Sequence, residues 1–385
     1  MGIRLDGTTD TISAPGSDLN LGQSGDSVKV ASQIQLPIHG ALSNRRININ
    51  GAMQVAQRGT VTNAGNEYAG PDRYSFRKND GAYTISQDSD VPSGQGFASS
   101  WKADVTAVPS GGSTSYVFLR HRIEGQDLQH LKKGTSSSES LTLSFWIKSS
   151  VTGTYIAEIY DLDNDRQISK SYTVSSANTW ENKTLTFAGD TSGTLNNDNG
   201  ASLEVNFWFY AGSNFSSGTL NTSWASSTDA NRVAGQVNAA NNTANNIYIT
   251  GVQLEVGSKA TPFEHRSFGD ELRRCQRYFR RFCEGANYAA APGSGTGTSS
   301  TNAFHNVILS PEMRTVPTLA AFSNLRNDDV TSGTTITALS LVSSMSTTEA
   351  VFLQATSASG LTQHRPYHLL ANNTSSAKLD LSAEL

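Results

Sequence analysis

The sequence predicts an all-β protein: a jelly-roll β-sandwich with a short N-terminal fibre-like segment and a smaller C-terminal β domain preceded by one helix. Only 16% of the 385 residues are charged, against about 25% in typical soluble domains. Ser, Thr, Asn and Gly make up the difference, and these residues favour turns and solvated strand faces over helices. Apolar and polar residues also alternate over many short segments, which is the pattern of half-buried strands.

Residues 1–43 form the N-terminal segment. Short apolar pairs such as Ile3/Leu5 and Leu19/Leu21 alternate there and are separated by turn signals such as APGSD. Each piece is too short to bury its apolar face within one chain. We expect the segment either to wind around copies from other subunits, as in a thin fibre shaft, or to dock as an arm on a neighbouring protein; the pattern fits both equally well.

Residues 44–266 contain the longest alternating segments and are expected to form the sandwich. LTLSFWIK (141–148) and LEVNFWFY (203–210) each place four apolar side chains on one face. In NIYITGVQLEV (246–256) the apolar set changes from odd to even positions at Gly251, as a glycine bulge would cause. About eight or more such segments indicate a sandwich of two sheets.

A single amphipathic helix is predicted over residues 267–284, with Ser267 as its N-cap and Asp270 completing a capping box. Its apolar stripe comprises Phe268, Leu272, Cys275, Phe279 and Phe282. The stripe is flanked by arginines, and two heptads cannot sustain a free-standing coiled coil. We therefore expect the stripe either to form an oligomer interface or to pack on a sheet, which is favoured. On one helix Cys275 and Cys283 would lie about 12 Å apart, too far for a disulfide.

Residues 285–385 are expected to form the C-terminal β domain. The small-residue stretch 285–302 is typical of a linker or long loop. Beyond it, segments such as AFHNVIL and AVFLQA alternate as strands do.

Seven motifs distinguish the chain: NRRININGAMQVAQRGT (44–60), PDRYSF (71–76), RIEGQDLQHLKKGT (122–135), LTLSFWIKSSVTGTY (141–155), SGTLNTSW (217–224), ITGVQLEVGSKATPFEHRSFGDELRRCQRYF (249–279) and VILSPEMRTVPTL (307–319). Together they resemble a family of tail-fibre and other virion appendage proteins, widespread in marine phages, that is built around a carbohydrate-binding-module-like jelly roll. The 249–279 block is the most specific of the seven, and residues 1–43 lie outside the resemblance.

The resemblance implies a structural, non-enzymatic protein of the virion surface, a tail fibre or similar appendage, which is often a homotrimer. Such a protein is made in the cytoplasm of the bacterial host, attaches to other tail or capsid proteins, here through residues 1–43, and contributes to adsorption on host polysaccharide. The alternative is a head fibre or capsid decoration protein without a ligand. A polysaccharide depolymerase is less favoured, because the family offers no catalytic motif to match.

The composition argues against several other classes of function. A net charge of −4 offers no electrostatic reason for a nucleic-acid partner. No segment is apolar enough to cross a membrane, and no signal peptide is evident at the N-terminus. The glycine-rich stretches lack the spacings that cradle phosphates, so no cofactor is expected.

Possible metal and catalytic residues have simpler structural interpretations. Pro366 lies between His364 and His368 and would break a zinc-binding helix. The three aspartates of DLDNDR (161–166) favour a hairpin turn over an ion site, because the glycine and distal glutamate of a calcium loop are missing. A glycosidase would need two carboxylates across a cleft; Glu124, Asp127, Glu158 and Glu204 are the candidates, but the sequence does not pair them.

Aromatic residues are the candidate glycan-binding residues. Trp146, Trp208 and Tyr210 lie on the strand faces opposite the predicted core, and Trp224 lies in a loop rich in Ser and Asn. Exposed aromatic rings can stack on sugar rings. Packing between subunits would bury the same faces and is favoured over glycan binding on the sequence pattern alone.

Overall fold

The computed structural model of the chain describes residues 44–385. The predicted N-terminal segment, 1–43, and both of its interpretations lie outside the described residues.

Twelve strands form the sandwich: β1 Glu67–Tyr68, β2 Tyr74–Lys78, β3 Ala82–Asp88, β4 Ser100–Ala107, β5 Tyr116–Glu124, β6 Leu141–Ser149, β7 Gly153–Asp161, β8 Arg166–Val174, β9 Glu181–Phe187, β10 Ala201–Ala211, β11 Ala225–Ser226 and β12 Asn246–Val256. Nine follow: β13 Phe279–Phe282, β14 Gly293–Gly297, β15 Asn302–Ile308, β16 Thr318–Ser323, β17 Leu325–Asp328, β18 Gly333–Leu341, β19 Ala350–Ser357, β20 Pro366–Ala371 and β21 Lys378–Ser382. The α-helices are α1 Ser213–Ser216 and α2 Phe268–Gln276, and 3₁₀ turns occur at Gly125–Asp127, Gln129–Leu131, Asp229–Asn231 and Ser343–Met345.

The sandwich consists of two antiparallel sheets. One has the order β1-β2-β5-β10-β7-β8-β11 and the other the order β3-β4-β12-β6-β9. Aromatic pairs join them: Trp101 stacks on Phe209 at 5.8 Å, and Phe145 meets Phe207 edge-on at 4.9 Å between ring centroids. Burying each such ring contributes about 1.5–3 kcal/mol. The predicted all-β jelly-roll class is confirmed.

The period-2 pattern of β6 correctly predicts its two faces. Phe145 and Ile147 are fully buried in the core between the sheets, whereas Trp146 points to the outer face and is partly exposed. The predicted bulge is also confirmed, because Gly251 has φ +62° and the β12–β6 register shifts between Thr250 and Gln253.

The helix is shorter than predicted. Ser267 caps it by accepting a hydrogen bond from the Asp270 backbone N–H at 3.2 Å, but α2 ends at Gln276 instead of continuing to residue 284. Phe279 and Phe282 lie on β13, which pairs with β21. Backbone pairing with a distant strand replaces a helical end that two heptads could not stabilise.

The prediction that five apolar residues form one stripe along a helix is therefore wrong. Cys275 is buried, Phe268 is 56% exposed, and Leu272 is half-buried. The two phenylalanines of the stripe are on a strand instead. Both cysteines are free, as predicted, and both are buried.

The C-terminal part is β-rich, as predicted, and includes a closed barrel of six strands in the order β14-β15-β19-β18-β17-β20. The other three C-terminal strands form a sheet in the order β13-β21-β16. The stretch 285–302 is more than a linker, because it contains β14. A Cβ on Gly295 would lie 2.3 Å from Nδ1 of His305, so the small residues of this strand allow close packing inside the barrel.

Buried charges join the sandwich to the C-terminal strands. Arg73 forms an ion pair with Glu384, and its guanidinium lies 3.4 Å from the ring centroid of Tyr278. Glu124 accepts hydrogen bonds from Tyr278 and from Arg277, the latter at 2.8 Å. Burial alone would raise the pKa of Glu124, but these hydrogen bonds hold that pKa below its ordinary value.

Candidate binding cleft

A cleft of about 460 Å³ opens on the outer face of the five-stranded sheet, within the size range of small-ligand sites. Its lining comes from β6, β9, the bulge of β12 and two connections, β3–β4 and β12–α2. The lining residues are Gln95, Phe97, Ser144, Trp146, Asn182, Gly251, Ala260, Thr261, Pro262, Phe263 and His265.

The bulge glycine lies between two aromatic side chains of the cleft. A Cβ on Gly251 would lie 2.7 Å from the Phe97 ring and 3.0 Å from Cδ1 of Trp146. Both rings therefore lie against the Gly251 backbone. The absence of a side chain at this position keeps the floor of the cleft open between Trp146 and Phe97.

Substitution of Gly251 by alanine tests this arrangement. We expect it to destabilise the sandwich by about 1–2 kcal/mol through its positive φ, and by about 1–3 kcal/mol more through displacement of the rings. Gly59→Ala is the matched control, since Gly59 has φ +73° but no atom within 4 Å of the added Cβ. Equal losses in denaturant unfolding of the two variants would show that the rings do not pack against the glycine.

Three rings, one of which is Phe97, form the aromatic wall of the cleft. Phe97, Phe263 and His265 lie 4.8–5.4 Å apart between ring centroids. Burial, and then the positive charge of Arg46, lower the pKa of His265, so its imidazole is neutral at pH 7. The wall therefore presents apolar ring surface.

The hydrogen-bonding groups of the cleft are uncharged. Gln95 and Asn182 are exposed amides, and Ser144 adds a partly exposed hydroxyl. Amides both donate and accept hydrogen bonds, as the hydroxyl groups of a sugar do. A partly exposed tryptophan beside such groups can stack on the apolar face of a pyranose ring while its hydroxyls are bound.

Of the predicted glycan-binding residues, Trp146 alone lines this cleft. The prediction that Trp208 is exposed is wrong: it is 1% exposed and contacts the Phe118 ring at 4.5 Å. Its Nε1–H donates to Glu158 at 3.1 Å. Residues 212–240 cover this face of β10 and supply Val233 to its apolar cluster, a long-range contact that strand periodicity does not reveal.

Tyr210 and Trp224 are also placed away from the cleft. Tyr210 is 8% exposed and belongs to the sandwich core, since the β10–β5 register shifts between Trp208 and Tyr210. Trp224 is half-buried, and its Nε1–H donates to the Ala188 carbonyl at 2.8 Å. The predicted exposure of Tyr210 is wrong, whereas the glycan-binding role of Trp224 stays a prediction, at a place outside this cleft.

Sequence reasoning missed the residues that complete the cleft: Gln95, Phe97, Asn182, Phe263 and His265. Most lie in connections, where side chains follow no period. The one available signal was an aromatic residue within each connection, after Gly94 and Gly96 in one case and after Pro262 in the other.

Three of the four carboxylates considered for glycosidase chemistry, all but Asp127, are bound to arginines instead. Glu158 pairs with Arg232 at 2.8 Å, and Glu204 pairs with Arg120 at 3.0 Å. Glu124 takes part in the junction described above. Among the residues that the structure describes, no carboxylate lines the cleft.

DLDNDR forms the β7–β8 hairpin turn, as predicted. Asp161 is buried and pairs with the Lys133 ammonium, which also lies 2.9 Å from Asp190. Among residues 44–385, no group of three or more His, Cys, Asp or Glu side chains is arranged to hold a metal ion. In the same range, no helix is long and apolar enough to cross a membrane.

No protein-family model matches the sequence, and no curated protein sequence matches it significantly. Solved structures similar to part of the chain include the enzymatically active domain of tailspike protein 4 of bacteriophage CBA120. It has 17% identity and a TM-score of 0.30, over 51% of this chain and 21% of the tailspike domain. The chain thus spans about a fifth of that structure.

Two carbohydrate-binding domains are also similar. A family 11 module from Clostridium thermocellum, solved with a mixed-linked tetrasaccharide, has 15% identity and a TM-score of 0.26 over 53% of this chain and 98% of its own. The N-terminal cellulose-binding domain of a Cellulomonas fimi β-1,4-glucanase has 13% identity and a TM-score of 0.27 over 51% and 93%. At such scores these likenesses carry no functional assignment.

Proposed function

We propose that this protein is a non-enzymatic structural component of a phage surface appendage, and that the cleft around Trp146 binds host glycan. The observation that supports the binding role is a partly exposed tryptophan on the cleft floor, beside an aromatic wall and uncharged amides. This combination suits the alternation of apolar faces and hydroxyl groups in a saccharide. The phage setting rests on the sequence motifs.

Binding at one such cleft is expected to be weak, because the site is open and offers few hydrogen-bonding groups. A homotrimer, which the family resemblance implies, would present three clefts. Simultaneous engagement of several clefts by one polysaccharide can raise the avidity by roughly 10²-fold or more. Attachment to the particle through residues 1–43 completes the proposal.

Trp146→Ala is expected to weaken glycan binding roughly tenfold or more, since the stacking surface is lost. Titration calorimetry with purified surface polysaccharides of candidate hosts measures the change, and thermal unfolding verifies that the variant folds. Tyr288→Ala is the control, because Tyr288 is 53% exposed and lies outside the cleft. Equal affinity of wild type and Trp146→Ala would rule out this cleft.

The same material separates the alternatives. A wild-type protein that binds no glycan in a broad panel, yet assembles on particles, would be the head-fibre or decoration protein without a ligand. Release of reducing ends from a host polysaccharide would indicate a depolymerase instead. We expect no release, because no carboxylate of residues 44–385 lines the cleft and glycosidases require a carboxylate pair.

A further inference from the structure

We propose that Asp90 is a positioning residue: it fixes one wall of the cleft in the position relative to Trp146 that glycan binding requires. This inference rests on the proposed glycan-binding function. The wall is the β3–β4 connection, residues 89–99 (the 89–99 loop), which carries Gln95 and Phe97. Asp90 itself does not line the cleft.

The side chain of Asp90 ties the start of the 89–99 loop to the sheet. One carboxylate oxygen accepts a hydrogen bond from Nε1 of Trp180 at 2.9 Å, and the other forms an ion pair with Lys148. Burial alone would raise the pKa of Asp90, but the hydrogen bonds from Lys148 and Trp180 hold that pKa below its ordinary value. The carboxylate is therefore charged at neutral pH.

These two partners belong to the strands that carry the rest of the cleft. Lys148 lies on β6 two residues after Trp146, and Trp180 directly precedes β9, which carries Asn182. The Lys148 ammonium is also held 4.3 Å from the ring centroid of Tyr248 on β12. Asp90 thus connects the loop to the strands that carry Trp146 and Asn182.

The other end of the 89–99 loop is held by different contacts. The Ser99 carbonyl accepts a hydrogen bond from Thr250 at 2.7 Å, and the Phe97 ring packs on Phe263 at 5.0 Å. Between the two anchors, Gly94 and Gly96 adopt φ +74° and +79°. Glycine adopts such positive φ angles about as readily as negative ones, so these residues do little to hold the loop in place. With both ends held, the wall is organised before a ligand arrives, which lowers the ordering cost of binding.

The test compares Asp90→Asn and Asp90→Ala with wild type. Asn keeps an acceptor for Trp180 but loses the charge that pairs with Lys148, so we expect roughly threefold weaker glycan binding; Ala loses both contacts, so we expect roughly tenfold. Asp104→Asn is the control, since Asp104 pairs with Lys102 at 3.3 Å on the same sheet but outside the loop. Its affinity should equal that of wild type.

A second measurement needs no ligand. Chymotrypsin cleavage after Phe97 should be several times faster in Asp90→Ala than in wild type or Asp104→Asn, with little change in melting temperature. A purely structural role of Asp90 would instead lower the melting temperature and leave the cleavage of the folded protein unchanged.

The outcomes separate the two proposals. If wild type binds no glycan, the proposed function fails, and the cleavage rates still decide whether Asp90 holds the loop. If Trp146→Ala loses binding but Asp90→Ala keeps wild-type affinity and cleavage rate, the positioning role alone is overturned.

Discussion

Glu271→Ala is expected to lower the free energy of unfolding by about 3–5 kcal/mol, the cost typical of leaving one partner of a buried ion pair without its counter-charge. Glu271 lies on α2, and its side chain and that of Arg46 are both 0% exposed and form an ion pair. Its second oxygen accepts the backbone N–H of Asn50 at 2.6 Å. The substitution therefore leaves a buried guanidinium and a backbone donor without an acceptor.

Glu139→Ala is the matched control for this prediction. Glu139 pairs with Lys132 at 2.8 Å, but the two side chains are 25% and 54% exposed. Exposed pairs contribute about 0–1 kcal/mol. Denaturant unfolding measures the loss of unfolding free energy in both variants. Equal losses would contradict the prediction that the Arg46–Glu271 ion pair contributes more because it is buried.

Acidification from pH 7.5 to 5.5 is expected to destabilise the protein through two buried histidines. Burial, and then the charge of Arg73, hold the pKa of His121 well below its ordinary value. Burial also lowers the pKa of His305, whose Nε2 lies 2.6 Å from the Asn327 side-chain oxygen inside the barrel. Both imidazoles are therefore neutral in the folded chain at a pH where exposed histidines begin to protonate.

The sign of the effect follows from proton uptake. Below about pH 6.5 the unfolded chain binds protons that the folded chain excludes, so folded-state stability is complete above that pH and falls below it. The slope is up to about 1.4 kcal/mol per pH unit for each histidine until its folded-state pKa is reached. The raised pKa values of Asp72 and Asp127 act in the opposite direction.

Unfolding free energies at pH 7.5, 6.5 and 5.5 test this prediction. His305→Gln should reduce the slope by the contribution of one histidine. NMR titration of the native imidazoles follows the same protons directly. A wild-type stability that is flat across this range would contradict the prediction.

The candidate site was predictable only in part. Period-2 alternation in β6 correctly placed Phe145 in the core and Trp146 on the outer face, because neighbouring residues of a strand point to opposite faces. The same pattern in β10 failed for Trp208. Alternation tells which residues share a face but not whether another part of the chain covers that face.

Local patterns in the sequence thus determined the all-β class, the Gly251 bulge, the β7–β8 turn and the N-cap of α2, since each depends on the conformational preferences of neighbouring residues. The tertiary structure alone decided where α2 ends, because Phe279–Phe282 pairs with β21. It also decided the cleft, whose rings Phe97 and Phe263 come from distant connections. Their meeting depends on how the sheet and its connections pack together, which no local pattern encodes.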